Sequence, residues 1–407
     1  MSGWTVSLRR SPGRHAAPVL FTVLIAQVLI RDRAWTYEWT WALYQLAFNT
    51  VLLSPIVAGL GAWEGARLAD SSDYIGTCPR SWRVALSAWL GLILWTAVVY
   101  LVGVVVVALL VLARGTPFGP RLVDTLTILT AIGLMAAFGA LGIGLGWLIR
   151  RRLAAAPLAA ALTFCTTLWL YLAGPGQFVT VGGASGSLAG ATPNTTIQWR
   201  QVAVFVGISI TLLLLISRRT SWGVRGPVVL GLFSTLATTI AVVGLADAGQ
   251  AVLVPYNEPV TCTGVKPQVC AVAGYARFGA RAHDDLAPLI HALEAAKVSP
   301  IPLVFNQNAS LGQVLVGPLQ NRFLTGNTSD AALLVSAAYV DKRCFLQTRR
   351  EDDVALFGLQ WWLAGQVGGD RGNADLLPEK LTKGTPADQA AFIRDAVHTL
   401  VNCYQAP

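Results

Sequence analysis

The sequence predicts a polytopic α-helical membrane protein of about seven transmembrane helices, followed by a mostly helical α+β extracytoplasmic domain with two disulfides. Hydrophobic residues make up 54% of the chain and charged residues only 13%, which is too apolar for an ordinary soluble protein. Long apolar runs reach about Ala246, whereas charged, amide and proline residues return to globular frequencies from Asn257 onward. We therefore divide the chain into a transmembrane domain, residues 1–250, and an extracytoplasmic domain, residues 251–407.

Seven apolar segments are long enough, or nearly so, to cross a bilayer. A spanning helix needs about 20 apolar residues, because hydrocarbon offers no partner to a backbone that is not helical. The segments are residues 16–30, 39–62, 84–113, 122–149, 153–173, 201–217 and 226–246. The first and sixth are short, so we expect them to begin inside the flanking polar residues. Residues 28–31 offer no small-residue cleavage site, so the first segment is interpreted as a mature helix.

The arginines indicate how these segments are oriented. With the N-terminus in the cytoplasm, cytoplasmic loops hold twelve arginines and the opposite loops hold five, in keeping with the positive-inside rule. The twelve are Arg9, Arg10, Arg14, Arg67, Arg80, Arg83, Arg150, Arg151, Arg152, Arg218, Arg219 and Arg225, and the five are Arg31, Arg33, Arg114, Arg121 and Arg200. An odd number of spans then places the C-terminal domain outside, in a multi-pass protein of the cell membrane. We interpret these basic clusters as topology signals, not as a nucleic-acid site.

Four cysteines of the C-terminal domain support the same orientation. Cys262, Cys270, Cys344 and Cys403 form an even set, which suits an oxidising compartment. Three connectivities are possible. We favour Cys262–Cys270 with Cys344–Cys403, because a short loop closes at the lowest entropic cost.

A polar segment follows the second span. Glu64 and Arg67 are three residues apart on a helix that should continue from the membrane, and Asp70 extends its polar face. Gly76 and Pro79 stop this helix before a basic and aromatic stretch enters the next span. The segment is either a short amphipathic helix at the membrane interface or a solvated loop with snorkelling arginines.

This arrangement resembles the permease subunits of type-two ATP-binding-cassette transporters (ABC-2) from GC-rich bacteria. The resemblance covers about residues 15 to 220 and is carried by the helix running into Ala62-Trp-Glu-Gly-Ala-Arg67, a short polar helix, then Pro79-Arg-Ser-Trp-Arg83 and a new span. In that family, the segment after the second span docks on the ATPase. The resemblance implies an ATPase-coupling loop formed by Glu64, Arg67, Asp70, Arg80, Trp82 and Arg83. It also implies a re-entrant hairpin at residues 174–192.

The chain departs from that family in two respects. The family core has six spans with both termini inside, whereas a seventh span and a large outer domain are predicted here. Asp70 and Asp73 occupy loop positions that are often basic in the family.

The sequence names no catalytic residue, metal ligand or cofactor. It contains no glycine-rich phosphate loop ending in Lys-Ser or Lys-Thr, no His-Glu-x-x-His and no Gly-x-Ser-x-Gly. An ATP-driven permease would therefore need a separate ATPase subunit, and the resemblance implies a homodimer or heterodimer of permeases within the lipid bilayer. Charged residues are almost absent from the middles of the spans, which disfavours an ion-coupled transporter.

Glycines four residues apart predict close helix packing. Gly61 and Gly65 form one such pair, and Gly142 and Gly146 form another. Internal packing of one bundle, a dimer seam and a pore lining are all compatible with this spacing.

The C-terminal domain is predicted to combine short strands with several helices. Helices are expected at residues 282–297, 331–340 and 354–367, and a buried strand at 301–306. A final helix should begin after the cap Thr385, with Pro386 in its first position. Of the adjacent Trp361 and Trp362, one ring is expected to face the core and the other the membrane surface.

Our first functional hypothesis is the permease subunit of an ATP-driven exporter. The alternative is a receptor or sensor whose outer domain binds a ligand, although no cytoplasmic output domain is evident. A membrane-anchored enzyme is a third hypothesis, which the missing catalytic motifs disfavour.

Overall fold

The structure, a computed structural model, describes eleven stretches of the chain. They are residues 11–30, 33–70, 82–116, 121–172, 181–183, 187–218, 252–308, 315–326, 330–340, 350–368 and 377–402. The chain divides into two compact units, here called the membrane unit (Met1–Arg114, Phe118–Gly186 and Thr192–Val254) and the C-terminal unit (Gly115–Pro117, Ser187–Ala191 and Pro255–Pro407).

Helices dominate the membrane unit. They are α1 (Pro12–Ile30), α2 (Trp39–Phe48), α3 (Thr50–Asp70), α4 (Trp82–Ala113), α5 (Leu122–Ile149), α6 (Arg152–Leu172) and α7 (Thr195–Arg218), with a 3-10 turn at Arg33–Tyr37. Among the described residues, six helices are long and apolar enough to cross a membrane, with α2 and α3 counted as one span, Trp39–Asp70. Two short strands, β1 (Ala191–Pro193) and β2 (Leu253–Pro255), form a two-stranded sheet.

Six of the seven predicted spans are therefore helices in the structure. The first and the sixth begin at Pro12 and Thr195, inside the flanking polar residues as expected. The second runs eight residues beyond its predicted end at Ala62, as far as Asp70, the last described residue of this stretch. The seventh predicted span, residues 226–246, lies outside the described residues, and so do residues 71–81.

Helix α3 packs against α5 at backbone distance. A Cβ atom on any of four glycines would overlap a backbone carbonyl oxygen of the opposite helix, so only glycine fits. The glycines are Gly61 and Gly65 on α3 and Gly142 and Gly146 on α5, and they face the carbonyls of Gly139, Ile143, Ala58 and Ala62, respectively. Of the alternatives open at the sequence level, the structure thus shows internal packing, here called the α3–α5 seam.

Helix α6 covers another side of α3. Ala62, Ala155 and Ala159 form a buried cluster, and Leu145 and Ile149 of α5 pack against it. Small side chains again allow the helices to approach closely. The three helices α3, α5 and α6 therefore share one core.

The C-terminal unit contains a mixed four-stranded sheet. Its strands are β3 (Val260–Thr263), β4 (Gln268–Val272), β5 (Val304–Asn306) and β6 (Val316–Pro318), in the order β3-β4-β5-β6. β3 and β4 are antiparallel, whereas β5 and β6 run parallel to β4. The helices are α8 (Gly279–Ala295), α9 (Asn321–Thr325), α10 (Ala331–Ala337), α11 (Arg350–Gln366), α12 (Glu379–Thr382) and α13 (Pro386–Asn402), with a 3-10 turn at Ala276–Phe278.

A disulfide joins β3 to β4. Cys262 and Cys270 are directly opposite in the antiparallel register, and their sulfur atoms are bonded. This confirms the predicted short-loop pair. The other predicted pair, Cys344 and Cys403, lies outside the described residues.

The last helix begins as the sequence predicts. Thr385 and Asp388 form a reciprocal capping box, in which each backbone N–H donates to the other side chain, at 3.0 and 3.3 Å. The Thr385 hydroxyl also donates to the Asp388 carboxylate, at 2.7 Å, and this bond, together with the one from the Thr385 N–H, holds the pKa of Asp388 below its usual value. The prediction for the tryptophan pair was wrong: Trp361 and Trp362 are both buried, at 9% and 7% exposure.

Candidate functional site

The end of α3 carries the charged residues that the sequence analysis singled out. Glu64 and Arg67 lie one turn apart, and their side chains form an ion pair with Oε2 and Nη2 2.8 Å apart. Glu64 is buried, with 1% of its side chain exposed, whereas Arg67 keeps 41% of its side chain in contact with solvent. The buried carboxylate thus holds an accessible guanidinium in place.

Asp70, the last residue of α3, pairs with a residue that sequence reasoning did not assign to the site. Arg152 donates from Nη2 to Asp70 Oδ2 at 2.7 Å, across 82 positions of sequence. Both side chains are partly exposed, at 39% for Arg152 and 47% for Asp70. This ion pair ties the end of α3 to the first residue of α6. We refer to Glu64, Arg67, Asp70 and Arg152 as the charged helix end.

A tight turn between α5 and α6 positions Arg152. Arg150 follows α5 in the left-handed conformation, with φ 57°, and its N–H donates to Gly146 O at 2.9 Å. Arg151 then caps α6, because its carbonyl accepts N–H donors from Ala154 and Ala155 at 3.1 and 2.8 Å. The two helices are thereby connected by two residues only.

Three helices meet beside the charged helix end. Leu68 and Ala69 of α3, Ala85 and Ala88 of α4 and Ile143 and Trp147 of α5 form one buried cluster, with Trp89 packed against it. The predicted coupling loop leaves α3 at Asp70 and enters α4 at Trp82, so this cluster holds its two ends together.

The structure accounts for some of the six predicted coupling residues. Glu64, Arg67 and Asp70 are brought together on the last turns of α3. Arg80 lies outside the described residues. Trp82 and Arg83 open α4, but their side chains are not among those described. Most of the predicted re-entrant hairpin, residues 174–192, is also outside the described part of the chain.

A second polar cluster lies in the membrane unit where α5 begins. Asp124, only 2% exposed, accepts from Thr40 Oγ1 at 3.1 Å and from the Arg121 N–H at 2.9 Å. One turn further along α5, the buried Thr127 accepts from Gln198 Nε2 at 2.7 Å. These bonds join α5 to α2 and to α7.

Sequence reasoning missed this second cluster, here called the polar clamp. Its members are Thr40, Arg121, Asp124, Thr127 and Gln198. A carboxylate in the first turn of an apolar run was a usable signal, since such a group requires partners at that depth. The partners themselves lie on other helices, and their spacing in sequence gives no sign of the contact.

The chemistry available at the charged helix end is recognition by charge. Partly exposed ion pairs add little stability, typically less than about 1 kcal/mol, so their contribution is mainly to geometry. Three of its charged groups are partly exposed: the positive Arg67 and Arg152 and the negative Asp70. Together they present a fixed pattern of charge to a partner surface. No group of three His, Cys, Asp or Glu within the described residues could hold a metal ion.

Comparison with protein families, with curated proteins and with solved structures finds no match for this chain.

Proposed function

We propose that this chain is the permease subunit of an ATP-driven exporter, and that a separate ATPase docks on the charged helix end. The observation that carries the proposal is the continuation of α3 beyond its apolar part to Asp70, where an ion pair fixes it to α6. A surface that receives mechanical force must be coupled to the helices that move. Here the docking groups lie on the same packed core as α3, α5 and α6.

The proposed orientation has the N-terminus and the charged helix end in the cytoplasm. Exposed arginines at the α5–α6 turn support this choice through the positive-inside rule. The Cys262–Cys270 disulfide supports an oxidising compartment for the C-terminal unit. That placement depends on an odd number of spans, hence on the seventh span predicted at residues 226–246.

The mechanism that follows is conformational. ATP-driven closure of the docked subunits would push on Arg67 and Asp70, and the Asp70–Arg152 pair would pass this displacement to α6. Because α3 cannot slide along α5 without a clash at the glycines, the push moves the seam as one body. Two permease subunits, identical or different, would complete the transporter, and no residue of this chain performs covalent chemistry.

The first test is co-purification of the tagged full chain in mild detergent. We expect an ATP-binding-cassette ATPase to be recovered with the wild type and to be lost from Arg67→Glu, which reverses a partly exposed charge on the docking surface. Arg114→Glu is the matched control, since Arg114 is also exposed and lies at the opposite end of the bundle, after α4. This control should retain the ATPase.

Charge reversal across the inter-helix pair separates docking from folding. Asp70→Arg combined with Arg152→Asp keeps the ion pair but inverts its pattern, so the protein should fold and lose the ATPase. If the wild type recovers no ATPase, the permease proposal fails, and the receptor hypothesis takes its place. If Arg67→Glu and Arg114→Glu recover equal amounts of the ATPase, the charged helix end is not the docking surface.

A further inference from the structure

An apolar groove opens between α5 and α7 at the end of the bundle that carries Arg150. Over about their first three turns the two helices are in contact, through Gln198 with Thr127 and through Phe205 beside Gly133. Further along they separate, and a groove of about 320 Å³ is lined by α5 from Leu141 to Leu148 and by Leu212 and Leu215 of α7. We call this space the lateral groove.

The lining is predominantly apolar, and the groove is open to the side. Leu148 and Leu215 are 63% and 54% exposed, which is appropriate for side chains that face hydrocarbon. A laterally open groove lined by leucine side chains is suited to a flexible hydrocarbon chain.

Positive charge lies at the end of the lateral groove. Arg150 and Arg151 lie two and three residues after Leu148 in the chain, at the end of α5, and both are exposed. Neither has an ion pair or a hydrogen bond from its side chain to another described residue. The N-terminus of α6 begins at Arg152 and adds further positive potential at this point.

We propose that the lateral groove binds an anionic phospholipid, with an acyl chain against Leu212 and Leu215 and the phosphate at Arg150 and Arg151. The apolar groove is followed along the chain by an exposed basic turn, in the order in which a phospholipid presents its tail and headgroup. This inference requires only that the helices lie in a bilayer. It does not depend on whether an ATPase docks on the charged helix end.

Trp147 gives this lipid a route to the charged helix end. Its ring lines the lateral groove and also belongs to the buried cluster with Leu68 and Ala69 of α3. A lipid that packs against Trp147 would therefore stabilise the position of the last turn of α3.

The charge component is tested by lipid retention. The purified full chain is exchanged into nanodiscs of phosphatidylcholine with a minor fraction of phosphatidylglycerol, and the lipid that remains bound after detergent extraction is measured by native mass spectrometry. Phosphatidylglycerol should be retained in preference to phosphatidylcholine, and Arg151→Gln should weaken its retention roughly fivefold. Arg14→Gln is the control. Arg14 is an exposed arginine in the first turn of α1, and because successive spans alternate in direction, it lies at the same end of the bundle as Arg151.

The apolar component is tested by filling the lateral groove. Leu215→Trp should reduce retention of the same lipid, whereas Leu109→Trp on α4 should not, since Leu109 is similarly exposed, at 61%, but lies away from the lateral groove. Equal retention of the two lipids, or equal loss from Arg151→Gln and Arg14→Gln, overturns the proposal. So does a change of oligomeric state with Leu215→Trp and unchanged lipid, which would assign the lateral groove to a second copy of the chain.

Discussion

Two glycine contacts in the membrane unit differ in what faces the glycine. At the α3–α5 seam, a Cβ atom on Gly146 would overlap the backbone carbonyl of Ala62. Where α4 meets α1, a Cβ atom on Gly103 would meet the end of the Leu24 side chain. A backbone carbonyl is fixed by its helix, whereas a leucine methyl group can turn away. The α3–α5 seam therefore cannot accommodate an added methyl group without moving a helix, whereas the α1–α4 contact can accommodate one by a change of side-chain rotamer.

This difference divides the bundle into a rigid and an adaptable part. α3, α5 and α6 are held by the seam, by the alanine cluster around Ala155 and by the Asp70–Arg152 pair. The contact of α1 with α4 depends on side chains such as Leu24, which is fully buried. On the proposed function, the rigid part transmits force and the adaptable part takes up the change in packing.

The largest effect is expected from Gly146→Ala compared with Gly103→Ala. Both changes add one methyl group inside a long apolar helix, but only the first pushes it into a backbone carbonyl. We expect Gly146→Ala to lower the free energy of unfolding by about 3 kcal/mol, and Gly103→Ala by about 1 kcal/mol or less. Denaturant titration in mixed micelles measures both, and equal values would contradict the distinction.

The polar clamp provides the next test, because it fixes the other end of α5. Asp124→Ala leaves the Thr40 hydroxyl and the Arg121 N–H without their buried acceptor, so we expect a loss of about 2 kcal/mol. Asp70→Ala removes a partly exposed carboxylate from the same bundle and should cost less than about 1 kcal/mol. The same denaturant titration measures both variants. A larger loss of unfolding free energy from Asp70→Ala than from Asp124→Ala would show that the exposure of the carboxylate does not determine the loss.

A rescue experiment separates the two glycine contacts more sharply. Leu24→Val shortens the side chain that faces Gly103, so it should recover most of the loss from Gly103→Ala, with a coupling energy of about 1 kcal/mol. Ala62→Gly should not rescue Gly146→Ala, since the obstructing atom is a carbonyl oxygen that glycine retains. Rescue in both pairs would mean that the seam also adjusts.

The smallest effect is expected outside the membrane unit, at the cap of α13. The folded state lowers the pKa of Asp388 below its usual 3.8, so its stabilisation is complete above that value and is lost as the pH falls below it. The difference in thermal midpoint between the wild type and Asp388→Asn should therefore be constant above about pH 5 and should shrink as the pH falls below 3.8. A difference that persists in acid would show that the cap does not depend on the carboxylate charge.

The sequence predicted the elements better than their contacts. Hydrophobic length revealed the described spans, because burial of a helix in hydrocarbon is decided locally, residue by residue. The continuation of α3 through Glu64 and Arg67 was likewise predicted from their helical spacing. The partner of Asp70 was not predicted, because Arg152 lies 82 positions away and the sequence analysis had interpreted it as a topology signal.

Tryptophan burial shows a similar limit. A single helix gives Trp361 and Trp362 neighbouring directions, which led to the prediction that one would leave the core. The C-terminal unit buries both rings. Whether a neighbouring position is exposed depends on how many elements surround the helix, and local periodicity does not contain that information.

The sequence by itself determined the apolar spans, the helical charged end of α3, the Cys262–Cys270 pair and the capped start of the last helix. Each of these depends on residues close together in the chain. Only the tertiary structure decided that four glycines join α3 to α5, that Asp70 meets Arg152 and that a groove opens toward Arg150. Those features depend on which helices become neighbours, and that choice is made by the packing of the whole bundle.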